Sequence, residues 1–534
     1  MSLAIRRQAG RGHLTLVAPP AVAPPGPDTD LPLSWTWFAL GAAALFGVLI
    51  RATFVLAGDF PLNDGGMFYQ MALDVRDAGY ALPETTGYNG LDVAYAYPPL
   101  GFYAAALFGD LTPFSTLDAF RALPLLASAL TIGAFVAVAR TLLPTRTALA
   151  AAAFAFALNP RSFEWMIMGG GITRSFGFLF ALLAIGAAAQ ACRAPNWRCI
   201  APLAALGALA ALSHLEMAWF MTFSIALVFL FAERRRQAFV RGAAAGAMAV
   251  ALCAPWWGAV LARHGLDPFV SAATSSGPSR VSPIVQFLAF NPTDEPLFPL
   301  IAALAVLGAA VAIARREYLL PVWVVACAFL DPRAFGTVAA APMALLAGSA
   351  FATIVVPVLR GGGDGRRSLA VPVTVASVCV AYAMLGSLVA GARYLVPLDG
   401  GERAAMTWIE ANTPADARLL VVTGTQWEVD RMSEWAPVLA GRVSAGTVQG
   451  MEWLGGEAFA DRIDAYDELQ LCAFATSACI GEWGARHGQT FDYVLLPRVR
   501  PAAQSSVLPD DECCPGLRPS LAADDGYRLV FDNE

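Results

Sequence analysis

The sequence predicts a polytopic α-helical membrane protein of about eleven helices, followed by a C-terminal α/β domain. Three observations predict it. Of 534 residues, 57% are hydrophobic and only 14% are charged, where a soluble globular chain carries about 25% charged residues. Apolar runs of roughly 20 residues, enough to cross a bilayer, recur through the first three quarters of the chain. Beyond Arg393 the pattern changes to shorter amphipathic and strand-like segments.

The first 33 residues are rich in Pro and Ala, carry Arg6, Arg7 and Arg11, and predict a disordered cytoplasmic N-terminus. The apolar run that follows starts too late for a signal peptide and has no small-residue cleavage site after it, so it reads as an uncleaved anchor. Helices are expected near 34–57, 119–140, 146–160, 171–191, 199–213, 216–232, 240–262, 297–314, 318–331, 337–358 and 369–392.

Arginines orient these spans. Placing Arg6/Arg7/Arg11, Arg140/Arg146, Arg193/Arg198, Arg234/Arg235/Arg236/Arg241, Arg315/Arg316 and Arg360/Arg366/Arg367 on the cytoplasmic face gives a consistent alternation. The expected location is the inner (plasma) membrane, multi-pass, with the N-terminus cytoplasmic and the C-terminal domain, 393–534, extracytoplasmic. The brief apolar segment 98–111 decides the parity. Counted as a span it would move Arg140 and Arg146 outside, so it is expected as a helix lying at the outer surface. The first outer loop, 58–117, within the membrane domain 34–392, is then long and ordered. Such loops are more often functional than spacers.

In the tail, "GERAAMTWIEANTPADARLLVVTG" predicts an amphipathic helix, a turn and a strand at 419–422; "FDYVLLPR" and "YRLVFDNE" predict further strands. Of nine Cys, Cys253, Cys327 and Cys379 fall in predicted helices as small apolar residues. Cys472, Cys479, Cys513 and Cys514 fall in the outer domain, where an oxidising compartment permits disulfides, with Cys472 and Cys479 the expected local pair. Their spacing does not resemble a zinc site. All 35 basic residues are Arg, which reads as genomic composition. No basic patch with interleaved aromatics exists, which argues against nucleic-acid binding.

The residues that point to chemistry begin at "DFPLNDGGMFYQM", directly after the first apolar run. Asp64 precedes two glycines, which allow a tight turn and close approach of a ligand. An acid at the mouth of a membrane helix is costly and tends to be functional. Asp59 opens the same segment, either as a solvated acid or as a substrate contact. Farther along the loop is "YAYPPLGFY", with Tyr97.

Asp64 after the first helix, "YPPLGFY" in the same loop and "AFRALPLLASAL" opening the second helix together resemble the GT-C glycosyltransferases. That superfamily includes protein O-mannosyltransferases, oligosaccharyltransferases and the lipid A aminoarabinose transferases. The resemblance covers residues 34–395. It implies a multi-helix membrane fold whose first outer loop holds the catalytic acid, here Asp64. It also implies transfer of a sugar from a polyprenyl-phosphate donor to an extracytoplasmic glycan, lipid or protein, with inversion at the anomeric carbon. Two departures stand out. Many members carry a second acid, as Asp-Glu or Asp-x-Asp, whereas Asp64 is followed by Gly65; the use of a divalent metal is therefore left open. The Trp-Trp-Asp-Tyr-Gly signature of oligosaccharyltransferases is missing, which disfavours asparagine glycosylation.

The chemistry itself asks for a base at the incoming hydroxyl and a cation at the leaving phosphate. Without Lys, the cation is Arg or a metal, and the Arg fork suits phosphate. The outer-facing candidates are Arg161, Arg174, Arg280 and Arg333, each of which could instead snorkel as an interfacial anchor. Glu164 in "NPRSFEW" stands as a second acid or as a solvated one. "GGGITR", ending at Arg174, offers glycines for close backbone approach or a plain loop. His214 and Glu216 in "LSHLEMAW" are site residues or helix caps. A transporter or flippase of lipid-linked sugars is the alternative from another class, and a non-catalytic glycan-binding membrane protein is a third. The absence of an internal repeat and the clustering of polar residues at outer turns favour the enzyme.

Overall fold

The computed structural model describes residues 30–193, 197–274, 282–360, 370–499 and 512–533. Arg280 and the N-terminal residues 1–29 lie outside the described residues. The chain is mostly helical, and its helices fall on the predicted apolar segments. Five are long and apolar enough to cross a membrane: Leu33–Ala57, Thr116–Leu142, Gly171–Ala191, Phe335–Arg360 and Ala370–Tyr394. A sixth span forms if Arg235–Leu252 and Ala254–His264 are taken together across a 58° bend. Pro255 opens the second of these two helices, and its missing N–H accounts for the break. The other predicted spans are the shorter helices Arg146–Ala157, Ile200–Ser213, Leu215–Leu230, Leu300–Ala314 and Leu319–Leu330.

Small residues let these helices approach closely. The helix Phe335–Ala350 is buried along nearly its whole length. A Cβ on Gly308 would overlap the Leu346 carbonyl oxygen, and one on Gly348 would lie 2.5 Å from the Ala148 carbonyl oxygen. Without a hydrophobic drive between helices in lipid, such contacts supply the packing. The helix Leu33–Ala57 turns Trp35, Trp37, Phe38, Leu45, Leu49 and Leu56 outward, a lipid-facing stripe. Its buried Arg51 is satisfied from all sides: Nε donates to Ser128 Oγ at 3.0 Å, Nη1 to the Gly47 and Ala157 carbonyls, and Nη2 to Ser162 Oγ. A buried intramembrane guanidinium needs that complete set of acceptors.

The segment after the first helix carries a helix, Gly66–Asp77, a two-residue antiparallel pairing of β1 (Thr85–Thr86) with β2 (Val93–Ala94), and a helix, Leu100–Leu111. The last of these sits on the predicted outer-surface segment.

Beyond Tyr394, the predicted amphipathic helix is Gly400–Asn412. Asp399 caps it, accepting from Glu402 N at 2.6 Å while the Glu402 carboxylate accepts from Asp399 N. β3 (Arg418–Val421) lies between β4 (Val443–Ser444) and β5 (Tyr493–Leu495), all parallel, with Arg418 opposite Val443 and Leu419 opposite Tyr493. Helices Arg431–Leu439, Gly456–Leu471 and Ser477–His487 accompany the sheet. Cys472 and Cys479 form a disulfide.

The strand expected in "YRLVFDNE" does not form. Residues 527–533 have no regular structure and are held by side chains rather than at a sheet edge. Phe531 packs on Trp408 with ring centroids 5.3 Å apart, and Asn533 Nδ2 donates to the Gly401 carbonyl at 2.8 Å.

Candidate active site

The turn carrying Asp64 is pinned from several sides. Leu62 pairs with Pro397 in an antiparallel bridge. Asn63 Nδ2 donates to the Tyr394 carbonyl at 2.6 Å, and its Oδ1 accepts from Val396 N at 3.2 Å. Asn63 lies at φ 51° and Gly65 at φ 125°. The first is a conformation Asn tolerates, the second one that glycine alone takes readily.

Asp64 is thereby presented to the start of the helix Gly171–Arg193. Its Oδ1 accepts from Gly170 N at 2.8 Å, and its Oδ2 pairs with Arg174 Nη2. Arg174 is itself fixed, donating from Nη1 to the Trp165 carbonyl at 3.2 Å and lying over the Trp165 ring at 5.1 Å from the centroid. The triple glycine is needed here: a Cβ on Gly169 would overlap the Asp64 carbonyl oxygen, and one on Gly170 would overlap the Asp64 carboxylate and Arg174. The close approach expected of these glycines is an approach to Asp64.

Next to this pair, the Tyr97 hydroxyl lies 3.4 Å from Thr173 Oγ1, one residue before Arg174. The Tyr97 ring lies 6.0 Å from His214 and 5.5 Å from Trp453. Burial pushes the Tyr97 hydroxyl up to about 12, and the charges of Arg174, Glu216 and Arg333 all act on it. His214 sits between the helices Ile200–Ser213 and Leu215–Leu230, and its Nδ1 is buried with no hydrogen-bond partner among the described residues. Glu216 opens the second of these helices. Arg333 follows the helix Leu319–Leu330, and its charge reaches Glu428 and Glu452 of the C-terminal segment. Tyr97, His214 and Glu216 thus lie within electrostatic reach of Arg174, the partner of Asp64, and Arg333 acts in turn on Tyr97 and His214.

Arg161 and Glu164 form a second cluster, with Asp294. Arg161 Nη2 pairs with Asp294 at 3.2 Å. Glu164 is 2% exposed and its Oε1 has no hydrogen-bond partner among the described residues. Burial, then the nearby Asp294 carboxylate, push the Glu164 carboxyl up to about 8. Asp59 stands apart, exposed, with both oxygens on Arg403 Nη2 at 2.8 and 2.9 Å. That hydrogen-bonded guanidinium holds its carboxyl below the usual range.

The sequence offers Trp427, Trp435 and Trp453 as sugar-stacking residues or as packing of the C-terminal domain and its seam, and Glu428, Asp430 and Glu434 as hydroxyl-binding acids, but nothing in it brings Glu434 and Trp435 to the Asp64 turn. Glu434 Oε1 accepts from Gly65 N at 2.7 Å, and Trp435 Nε1 donates to the Asn63 carbonyl at 2.8 Å. Trp435 is fully buried against Phe60, ring centroids 4.7 Å apart. Burial, then the Asp64 charge, push the Glu434 carboxyl up. Among the described residues, no group of three or more His, Cys, Asp or Glu side chains converges as a metal site.

Residues 96–258 match the family model described as dolichyl-phosphate-mannose-protein mannosyltransferase. The archaeal oligosaccharyltransferase AglB from Archaeoglobus fulgidus, solved with an inhibitory peptide and a dolichol-phosphate, is similar with a TM-score of 0.55 and 14% identity, over 86% of this chain and 69% of that one. The arabinofuranosyltransferase AftD from Mycobacteria is similar with a TM-score of 0.51 and 18% identity, over 88% of this chain and 35% of that one. No curated protein sequence matches the chain significantly. Over most of its length, then, this membrane protein shares the fold of the GT-C glycosyltransferases to which these structures belong.

Proposed function

We propose that this chain is a membrane glycosyltransferase that moves a sugar from a polyprenyl-phosphate donor to an extracytoplasmic glycan, lipid or protein. The observation that carries the reading is the Asp64 carboxylate, held by Gly170 N–H and by Arg174, with Tyr97, His214 and Glu216 in electrostatic reach of Arg174 and Arg333 acting in turn on Tyr97 and His214. Ionisable side chains concentrated at one end of an apolar bundle mark a reaction site better than a structural one.

In this reading the acceptor hydroxyl oxygen attacks the anomeric carbon. The bond from that carbon to the phosphate oxygen breaks with its electron pair, the lipid phosphate leaves, and the hydroxyl proton passes to Asp64. A single displacement inverts the anomeric centre. Arg174 and Arg333 offset the charge growing on the phosphate, and Arg161 with Glu164 shape the adjoining wall.

The topology proposed with it is about eleven spans, a cytoplasmic N-terminus, and the site on the outer face between the loop 58–117 and the α/β domain 393–534. The contact of Trp435 with Asn63 supports a shared side for that loop and that domain. The test is turnover by purified protein in lipid of a panel of radiolabelled polyprenyl-phosphate sugars, with and without chelator, beside an Asp64→Asn control. Turnover lost in the variant is the expected result. No turnover of any donor, with equal binding by both proteins, overturns the reading in favour of transport or simple binding.

A further inference from the structure

Asp64 is followed by Gly65, which carries no side chain of its own. The structure brings a carboxyl to the same peptide from 369 positions away: Gly65 N–H donates to Glu434 Oε1 at 2.7 Å. We infer that Glu434 is a positioning residue for the Asp64 site, so that the C-terminal segment completes the site instead of only covering it. The inference rests on the reading of Asp64 given above.

Three contacts flank Asp64 on both sides, and all come from Glu434 and its neighbour. On the N-terminal side, Trp435 Nε1 holds the Asn63 carbonyl. On the C-terminal side, Glu434 holds the N–H of the peptide that joins Asp64 to Gly65. One residue on, Gly66 passes so near the Glu434 main chain that a Cβ would lie 2.5 Å from the Glu434 carbonyl oxygen. With Asn63 and Gly65 both at positive φ, the turn has no regular ladder of its own. These contacts set the plane of the Asp64–Gly65 peptide, and through it the direction of the Asp64 side chain.

Glu434 is held just as firmly. Its main-chain oxygen accepts from the Tyr88 hydroxyl at 2.6 Å, and its Oε2 from Gln449 Nε2 at 3.5 Å. It is 7% exposed. A buried carboxyl whose only short hydrogen bond is to a main-chain N–H, beside another acid, is costly for a residue that only packs a seam. Its expense is explained if the turn it fixes must be exact, because a displacement of about 1 Å at a reacting group costs about 100-fold in rate.

Two conservative variants separate positioning from charge. Glu434→Gln keeps an oxygen for Gly65 N–H and removes the carboxyl; Glu434→Asp keeps the carboxyl and withdraws it by one methylene. Full-length protein in lipid is assayed for donor kcat and KM, and peptide 59–71 is followed by hydrogen exchange. Expected are a kcat for Gln within about threefold of the wild type, a kcat for Asp lower by about tenfold or more with little change in KM, and faster exchange of the 59–71 peptide in Asp alone. Equal losses in both variants, or wild-type kcat and exchange in Asp, overturn the inference. If the wild type turns over no donor, the proposed function falls, and the exchange comparison still decides whether Glu434 holds the turn.

Discussion

Arg174 and Asp64, 110 positions apart, form a salt bridge in which each partner is oriented by something else: Asp64 by Gly170 N–H, Arg174 by the Trp165 carbonyl and ring. Neither side chain is left to find its own rotamer, as expected of groups that must meet a substrate in a fixed geometry. Asp64→Asn keeps an oxygen for Gly170 N–H and loses the proton acceptor. Donor turnover is expected to fall by about 10²- to 10⁴-fold, the range of a general base, and the thermal unfolding midpoint to fall as well, because Arg174 loses its charge partner. A variant that folds and turns over donor at the wild-type rate removes Asp64 from the mechanism.

The glycines at 169 and 170 separate fold from function. A Cβ at 170 meets the ends of two side chains, the Asp64 carboxylate and the Arg174 guanidinium; a Cβ at 169 meets the Asp64 backbone. Side-chain ends can move aside, so Gly170→Ala is expected to fold and to lose about tenfold or more in kcat. The backbone cannot move as easily, and Gly169→Ala is expected to cost stability, about 1–3 kcal/mol as for other overpacked sites. Gly133, with open space around its Cβ position inside the helix Thr116–Leu142, is the control; Gly133→Ala leaves turnover unchanged and does not lower the unfolding midpoint.

Asp59, in the same sequence segment as Asp64, serves a different contact. Its oxygens belong to Arg403, whose guanidinium also lies over the Phe60 ring at 5.3 Å. Exposed pairs contribute little. Asp59→Asn is expected to keep kcat and KM within about twofold of the wild type. A loss comparable to that of Asp64→Asn, measured in the same assay, would put both acids in the site.

The sequence made legible what depends on local pattern. Helix positions followed from runs of apolar residues, and Asp64 stood out because an acid at a helix mouth is conspicuous. Arg174, Tyr97, His214, Glu216 and Arg333 were legible as polar residues at turns, though not as one group, because nothing local says that Thr173 faces Tyr97. Glu434 was not legible as part of the Asp64 turn. Its partner is a main-chain N–H 369 positions away, and a main-chain donor leaves no mark on the side-chain sequence. The failed strand at 527–533 shows the converse. Alternating apolar residues suit a strand, but Phe531 and Asn533 found partners on the helix Gly400–Asn412 instead.

Glu164 predicts a pH dependence of stability. The side chain is buried, its Oε1 lacks a hydrogen-bond partner among the described residues, and burial with the Asp294 carboxylate raises its carboxyl from 4.5 to about 8. A group raised on folding keeps its proton in the native state, so its contribution is fully present below the unfolded value of 4.5 and is lost as pH rises through about 8. Wild-type stability is therefore expected to decline across that window. Glu164→Gln cannot ionise, and its stability is expected to match the wild type near pH 5 and exceed it near pH 9 by on the order of a few kcal/mol. Thermal unfolding of both proteins in the same lipid at the two pH values checks this. Parallel curves, with the same gap at both, would mean that Glu164 gives up its proton as readily in the native protein as in the unfolded chain.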